Sequence, residues 1–483
     1  MLAHAFMNAL VFVFITREPA QKPGWLALTK KECLLMSAEI TTGDLAQFKQ
    51  DLQATPGASA LQKAVMNNGI NATAENTDSK VAMTPTFSIE LDTGSVANQK
   101  QSGRCWMFAA LNTMRHGIQA QFKIKDFELS QNYTFFWDKF EKSNYFYENV
   151  LKTADQPLDS RKVAFLMTTP QQDGGQWDML SALIEKYGIV PKSVMPETYS
   201  SSKSSELNGL LNLKLRKDAV ALRKLVADKA SDADIEAAKQ KMLAEDYRIL
   251  AYTLGNPPTK FDFEYRDDDK QYHIDRELTP QTFFKKYVAW NLDDYQSIIN
   301  APTDDKPYNH LYTVEMLGNV VGGREVRHLN LDIDTFKALA VKQLKAGESV
   351  WFGSDVGQSS DRQLGIMDTN IYKKDDLFNT DFTMTKAERL DYGESLMTHA
   401  MVLTGVDIVD GKPTKWKVEN SWGDKVGDKG YFVASDSWFD EFVYQVVISK
   451  KYLSADLQDV IKNEYDKPTV LAPWDPMGAL ASK

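Results

Sequence analysis

The apolar residues in the first half of the chain mostly follow helical spacing. Residues 43–53 and 58–67 predict two short helices, which are separated by the turn-forming segment ATPGAS. A longer helix is predicted from Cys105 onwards, and an aromatic-rich helix over residues 127–147. The apolar positions that predict the first of these two are Trp106, Phe108, Ala109, Leu111 and Met114.

The second half of the chain changes from helical to alternating patterns. Residues 203–255 are rich in charged residues, Leu and Ala, and they predict two long helices divided near Ser231. Residues 399–450 predict an antiparallel sheet with turns at DGKP and GDKVGDKG. Between them, two strands and a helix are predicted at 260–265, 326–333 and 334–346. Helices first, strands last and a helical block between them predict an α+β fold with an insertion.

Composition excludes several classes of function. The 483 residues carry a formal net charge of −10, which argues against a nucleic-acid partner. Two cysteines cannot form a disulfide framework, so a reducing, cytoplasmic location is expected. The six histidines show no metal-ligand spacing, and no phosphate-binding glycine loop is present. We therefore expect no metal and no nucleotide cofactor.

The first 35 residues differ from the rest of the chain. Their apolar run, residues 9–15, is far shorter than the ~20 residues that span a bilayer. It also lacks a basic leader and a small-residue cleavage site, so we predict neither a membrane partner nor a signal peptide. A second plausible start follows at Met36. We expect residues 1–35 to lie outside the fold and translation to begin at Met36, which leaves Cys105 as the single thiol of the main body.

Cys105 has two interpretations. A free cysteine is most often a small buried core residue. However, Gln, Ser, Gly and Arg precede Cys105, which places it at a junction between a loop and a helix. The dipole at a helix N-terminus favours a thiolate, so a lowered pKa is expected there. A catalytic cysteine further needs a base, a residue that orients the base, and an oxyanion donor.

Suitable partners occur at three places in the sequence. Gln99 lies six residues before Cys105, close enough for its amide to share an oxyanion site with the Cys105 backbone N–H. His399 opens an apolar strand, and Asn420 follows on the next predicted strand, where its side-chain carbonyl can fix the histidine tautomer. Trp422 can shield that hydrogen bond from water. Considered alone, a histidine in the position of His399 is more often structural than catalytic, and an asparagine in the position of Asn420 is more often a turn residue.

The combined pattern resembles the papain-like cysteine peptidases, and within them the bleomycin hydrolase/aminopeptidase C family. The resemblance covers residues ~36–481 and rests on QSGRCWMFAALN, QDGGQWDM, SLMTHAMVLTGV, VENSWG and PWDPMGALA. It implies that Gln99 is the oxyanion residue, Cys105 the nucleophile, His399 the base and Asn420 the orienting residue. It also implies that the glycine pair binds substrate backbone and that the C-terminal arm enters the active site, the residues concerned being Gly174, Gly175 and Ala481. A glycine pair in an ordinary turn and a frayed terminus are the alternatives.

The resemblance also implies an architecture. We expect a papain-like core with a helical lobe and an antiparallel β lobe, a large helical insertion, and a homohexamer with internal active sites. The expected divisions are an N-terminal arm and helical lobe, an oligomerisation insertion, a β lobe with the histidine and asparagine, and a C-terminal arm, at 36–200, 201–330, 331–470 and 471–483. Ser482 and Lys483 extend past the final Ala that is usual in the family, so we expect them to be trimmed or the arm to shift.

Together, these expectations predict a cytoplasmic cysteine aminopeptidase that cleaves peptides through a thioester intermediate. An imidazolium from His399 is expected to keep Cys105 ionised at neutral pH. Two alternatives remain open. One is a thiol amidase or acyltransferase with the same nucleophile, and the other is an inactive papain-fold scaffold that binds peptides.

Overall fold

The computed structural model describes residues 39–481. The chain divides into two compact units, residues 1–73 and residues 74–483. The described part of the first unit contains α1 (Thr42–Ala54) and α2 (Ala58–Asn68), and α3 (Ile70–Ala74) crosses the boundary. These bounds lie within one residue of the two predicted helices. The expectations for residues 1–35 and for the last two residues lie outside the described part of the chain.

The helices of the second unit include the predicted helix that begins at Cys105 and the predicted long pair. The division of that pair lies at Ser231, whose side chain caps the second helix by accepting a hydrogen bond from the Asp234 N–H. Between residues 39 and 481, no helix is both long and apolar enough to cross a membrane. The helices are α4 (Thr77–Ala82), α5 (Cys105–Phe122), α6 (Gln131–Lys152), α7 (Arg161–Thr168), α8 (Trp177–Tyr187), α9 (Tyr199–Ser202), α10 (Ser205–Ala227), α11 (Asp232–Leu254), α12 (Pro280–Phe283), α13 (Ile333–Lys345), α14 (Lys374–Phe378), α15 (Lys386–Asp391), α16 (Asp436–Phe442) and α17 (Ala455–Glu464).

The strands form one large sheet and one separate hairpin. They are β1 (Ile89–Glu90), β2 (Phe261–Arg266), β3 (Tyr272–Leu278), β4 (Tyr295–Ile299), β5 (His310–Val314), β6 (His328–Asn330), β7 (Val350–Ser354), β8 (Ser360–Asp361), β9 (Ile366–Met367), β10 (His399–Val409), β11 (Lys412–Glu419), β12 (Tyr431–Ser435), β13 (Val443–Ser449) and β14 (Thr469–Leu471). The hairpin is β2–β3, and the other strands run in the order β14-β5-β6-β4-β13-β7-β10-β11-β12-β9-β8, with β1 added beside β10.

The sheet is mixed, although the sequence predicts an antiparallel one. At the centre of the sheet, β13 pairs antiparallel with β4 and with β7, and β10 pairs antiparallel with β7 and with β11. Strand β11 also pairs antiparallel with β12. Three pairs nearer the two edges are parallel, namely β12–β9, β14–β5 and β4–β6. Their partners are far apart in the sequence, so no hairpin turn could have predicted them. The predicted α+β fold is confirmed.

Helix α5 joins the helical part of the unit to the sheet. All of its residues from Cys105 to Arg115 are buried, and the indole N–H of Trp351 on β7 donates a 3.0 Å hydrogen bond to the Trp106 carbonyl. Elsewhere in the unit, buried apolar residues of β10, β11 and α16 pack together, among them Val406, Trp416 and Phe439. The hydrogen bond from Trp351 fixes the start of α5 against β7, which pairs with β10.

Candidate active site

Cys105 is the first residue of α5 and is fully buried. Its sulfur accepts a 3.4 Å hydrogen bond from the backbone N–H of Ala400, the residue directly after His399. Arg104, which precedes it, is also fully buried, and its guanidinium forms two hydrogen bonds with Glu197, of 3.1 and 2.7 Å. This buried ion pair fixes the loop that ends at Cys105.

Burial raises the pKa of the Cys105 thiol to about 12. The backbone N–H groups of Ala400, Trp106 and Cys105 itself oppose this rise, because they stabilise the thiolate. The expectation of a lowered pKa from the helix dipole alone is therefore wrong for this conformation. The reason is that the sulfur is shielded from water on all sides, and the lost hydration of the thiolate outweighs three oriented N–H groups.

His399 and Asn420 lie at neighbouring strand ends. His399 opens β10 and Asn420 directly follows β11, and these two strands pair antiparallel, with Val402 opposite Glu419. The His399 Nε2 atom lies 2.9 Å from the Asn420 Oδ1 atom, and both residues are buried. Because Oδ1 can only accept, Nε2 carries the proton, and Nδ1 is the nitrogen that can act as the base. The Trp422 ring lies 4.8 Å from the His399 ring and covers this hydrogen bond.

Gln99 is held at both ends of its side-chain amide. Its Nε2 group donates a 2.6 Å hydrogen bond to the Ser102 carbonyl, and its Oε1 atom accepts one of 2.5 Å from the Ser421 hydroxyl. The Gln99 backbone N–H also donates to the Ser421 carbonyl at 2.8 Å. These hydrogen bonds fix the orientation of the Gln99 amide beside the start of α5.

The segment Asp173–Gly174–Gly175 forms a loop next to α5. The indole N–H of Trp106 donates a 2.7 Å hydrogen bond to the Asp173 carbonyl. A methyl group on Gly175 would lie 2.6 Å from the Trp106 ring, so only glycine fits there. Gly174 accepts a 2.7 Å hydrogen bond through its carbonyl from the buried ammonium of Lys142. The glycine pair is therefore packed against α5 and α6 rather than lying in an open turn.

The Asp173 carboxylate ties the same loop to the residues before Cys105. It accepts hydrogen bonds from the Gly103 N–H at 2.8 Å and from the Ser204 hydroxyl, and it pairs with Lys139 at 2.9 Å. Burial alone would raise the pKa of Asp173, but the Lys139 charge and these hydrogen bonds hold it well below its usual range. Asp173 is therefore ionised and links the two loops that flank the sulfur.

The C-terminal segment runs along the glycine loop. It begins with β14, which pairs in parallel with β5, and Asp475 then forms a 3.0 Å ion pair with the buried Lys306. The Gln176 side-chain amide donates to the Ala479 carbonyl at 2.7 Å. Gly175 donates its backbone N–H to the Ala481 carbonyl at 3.3 Å, in an antiparallel bridge, and Ala481 is fully buried. This part of the chain is docked and does not fray.

The predicted residues thus lie in one site. Gln99, Cys105, His399 and Asn420 meet where α5 touches β10 and β11, and the glycine pair and Ala481 border the same place. Over the described range 39–481, no three His, Cys, Asp or Glu side chains are grouped so as to hold a metal ion.

The sequence matches a family of known proteins. The family model described as "Peptidase C1-like family" matches residues 39–478, which is most of the chain. The chain belongs to this family. The predicted resemblance is therefore confirmed at the level of the family.

Several relatives of this Peptidase C1-like chain carry the name aminopeptidase C. The one from Lactobacillus delbrueckii subsp. lactis is 60% identical over 446 residues, which cover 92% of this chain and 99% of the relative. The one from Listeria monocytogenes is 54% identical over 446 residues, covering 92% of this chain and all of the relative. A solved structure, PepW from Lactobacillus rhamnosis HN001, is 95% identical, covers 92% of this chain and all of that chain, and superimposes with a TM-score of 0.92.

Sequence reasoning missed a buried charged cluster beside the Peptidase C1-like site. Glu419, directly before Asn420, accepts hydrogen bonds from Asn112 at 3.0 Å and Arg115 at 2.8 Å, and its second oxygen lies 3.0 Å from the ring of His116. Burial would raise the pKa of Glu419, but His116 and Arg115 keep it below its usual value. The signal in the sequence was that polar residues between Asn112 and His116 interrupt an apolar helix pattern, which could have predicted this cluster.

Ser421 was also missed, although it is the residue that joins the two halves of the site. It binds Gln99 through both its hydroxyl and its carbonyl, and its own N–H donates a 2.7 Å hydrogen bond to the Asn420 side chain. Its position beside Asn420 was the only sequence signal. Through Ser421, the proposed oxyanion donor and the proposed orienting residue are fixed by the same backbone.

Proposed function

We propose that this chain is a cysteine aminopeptidase with Cys105 as nucleophile, His399 as base, Asn420 as the orienting residue and Gln99 as oxyanion donor. The relatives named aminopeptidase C support the reaction class. The single observation that carries the assignment is the contact of the Cys105 sulfur with the residue after His399, while His399 itself is hydrogen-bonded to Asn420. A buried core cysteine needs no such partners.

Acylation begins with proton transfer from the Cys105 thiol to His399 Nδ1. The sulfur then attacks the first peptide carbonyl, and the carbonyl oxygen takes the negative charge. The Gln99 amide and the Cys105 backbone N–H stabilise that oxyanion, an effect of ~3–4 kcal/mol per donor. Because burial raises the thiol pKa to about 12, proton transfer and attack are coupled, and the neighbouring imidazolium stabilises the thiolate as it forms.

The leaving amine receives its proton from His399, and the C–N bond breaks to leave a thioester on Cys105. Water, deprotonated by the same imidazole, then attacks the thioester carbonyl. The second tetrahedral intermediate collapses, which releases the amino acid and returns the thiol. Asn420 keeps the imidazole in the tautomer that both steps need.

The C-terminal arm is proposed to restrict the enzyme to free N-termini. Gly175 and the Gln176 side chain already bind the arm at Ala481 and Ala479, in the antiparallel manner that an extended peptide would use. A longer peptide therefore cannot extend across the glycine pair. If Ser482 and Lys483 are removed, the Ala481 carboxylate becomes available to pair with the substrate ammonium through a charge-assisted hydrogen bond.

The direct test compares an aminoacyl fluorogenic amide with its N-acetylated analogue. The wild-type chain is expected to hydrolyse the free-amine substrate only, and Cys105→Ala is expected to hydrolyse neither while remaining folded. Deleting residues 474–483 is expected to weaken aminopeptidase activity and to expose cleavage of the blocked substrate. A folded truncated enzyme that keeps its full preference for free N-termini would remove the arm from the mechanism. Transfer of the acyl group to an added amine in place of hydrolysis would favour the acyltransferase alternative.

A homohexamer in the cytoplasm completes the proposal. The insertion, residues 201–330, carries large apolar side chains that are exposed on α10 and α11, namely Leu210, Leu213, Val220 and Tyr252. In the proposed oligomer, a second copy of the chain would cover them. Sedimentation of the purified chain is expected to give six times the monomer mass, and a monomer would refute the oligomer.

A further inference from the structure

A second cleft opens beside the candidate active site. It has a volume of about 610 Å³ and is lined in part by Gln99, Ser102 and Trp422. Gln99 is the proposed oxyanion donor and Trp422 covers the His399 ring, so the cleft borders the reacting atoms. The C-terminal arm lines a different cavity, which also contains Gln171 and Gln172 of the glycine loop. The two openings share no lining residue.

The position of Trp422 identifies the side of the scissile bond. In the proposed reaction, His399 gives its proton to the leaving amine, while the acyl part lies against Gly175 and the arm. Because the Trp422 ring lies against the His399 ring, with 4.8 Å between the ring centres, the cleft that Trp422 lines is placed to receive the leaving-group part of the substrate. The residues that follow the scissile bond in a peptide would lie there.

The charge of this cleft is opposite to that of the chain. The protein carries a net charge of −10, yet the charged residues that line the cleft are Lys100 and Arg362, and no lining residue is acidic. Asp173 lies behind the cleft, where Asn208 donates to it, but it is already paired with Lys139 at 2.9 Å. The lining is thus left with two positive charges.

Of the two cations, Arg362 is held by a ring contact and Lys100 is exposed. The Arg362 guanidinium lies 4.2 Å over the Trp422 ring, which orients it by a cation–π contact. Lys100 has a left-handed backbone with φ 57, which costs a non-glycine residue energy and is kept only where its surroundings impose it. Its backbone N–H donates to Asn98 at 2.8 Å. Within residues 39–481, neither side chain forms an ion pair of 4 Å or less.

We infer that this cleft binds a carboxylate on the leaving-group side of the substrate, through Arg362 and Lys100. In a dipeptide or tripeptide, that group is the C-terminal carboxylate. Together with the proposed arm on the acyl side, this would make short peptides with both termini free the preferred substrates. The inference rests on the proposed function, because it takes the direction of the peptide from His399 and the arm.

The test compares tripeptides that end in a free carboxylate with the same peptides ending in an amide. The ratio of kcat/KM values, carboxylate over amide, is expected to exceed one. It should fall by about 2- to 5-fold in Arg362→Gln and in Lys100→Gln, since an exposed or half-exposed ion pair contributes roughly that much. Added salt should lower the wild-type ratio, because it screens the pair. Lys241→Gln, an exposed lysine on α11, is the matched control and should keep the wild-type ratio.

A binding measurement separates this inference from the proposed function. Titration of the same peptides into Cys105→Ala by calorimetry needs no turnover, and the carboxylate form is expected to bind about 2- to 5-fold more tightly, with the difference lost in the added Arg362→Gln variant. Absence of turnover in wild type together with this binding difference would refute the proposed reaction and support the site. Equal binding of carboxylate and amide forms, or a ratio that Arg362→Gln and Lys100→Gln leave unchanged, overturns the inference.

Discussion

The replacement Gly175→Ala tests whether the glycine loop has the position that the structure gives it. The new Cβ atom would lie 2.6 to 2.7 Å from three ring carbons of Trp106. Carbon atoms pack at about 3.5–4.0 Å, so the loop or the ring has to move by about 1 Å. Gly175 has ordinary backbone geometry, so the predicted effect comes from this contact and not from a lost φ conformation.

The ring cannot easily make that movement. Trp106 is fully buried, its indole N–H donates to Asp173 at 2.7 Å, and its carbonyl accepts from Trp351 at 3.0 Å. The Lys142 ammonium also lies 5.4 Å from the ring centre. Overpacking at such a site costs about 1–3 kcal/mol. A loop displaced by about 1 Å would lengthen the 3.3 Å bond from Gly175 to the arm beyond hydrogen-bonding distance.

The assay is kcat/KM for an aminoacyl fluorogenic amide, measured together with thermal unfolding. If the full strain reaches the substrate site, a cost of about 1–3 kcal/mol corresponds to a loss of roughly 5- to 150-fold in kcat/KM. Gly209→Ala is the control, since that glycine lies within α10 with no atom in the way of a Cβ, and alanine should stabilise the helix by up to about 1 kcal/mol. Wild-type activity and wild-type unfolding temperature in Gly175→Ala would refute this account of the loop.

Four further outcomes are expected. His399→Ala should lose more activity than Asn420→Ala in kinetic assays, because Asn420 transfers no proton; equal losses in folded variants would contradict this. Gln99→Ala should lower kcat by ~10²–10³-fold, and an unchanged kcat would remove it as oxyanion donor. Because Cys105 is buried with a pKa of about 12, iodoacetamide should label it slowly at pH 7, and faster after deletion of residues 474–483; equal rates would contradict the burial. Burial lowers the pKa of His328 from 6.5 to about 4. Between pH 6.5 and 4, the imidazole is therefore protonated in the unfolded state and neutral in the folded state. His328 should thereby contribute about 3 kcal/mol of lost stability between pH 6.5 and 4, so the change in stability over this range, measured by denaturant titration, should differ by about that amount between wild type and His328→Gln.

The sequence by itself determined the family, the α+β class and the four residues proposed for the chemistry. Each of the four lies at a local feature that can be seen in the sequence. Gln99 lies in a polar loop and Cys105 at the start of a helix, while His399 opens an apolar strand and Asn420 ends the next one. Local patterns of this kind follow from backbone geometry over a few residues, so they can be seen without a fold. The alternation also predicted β10 and β11 as neighbours.

Only the tertiary structure decided how these residues are held and how acidic they are. The partners of Glu419 on α5 lie about 300 positions away in the chain, and no local pattern relates them. The parallel edge pairs of the sheet have the same long-range origin. The Cys105 pKa is the clearest case, because the sequence shows the helix dipole that lowers it but cannot show the packing that excludes water and raises it. Burial is a property of the whole assembled chain, and desolvation outweighs the local dipole once that packing is complete.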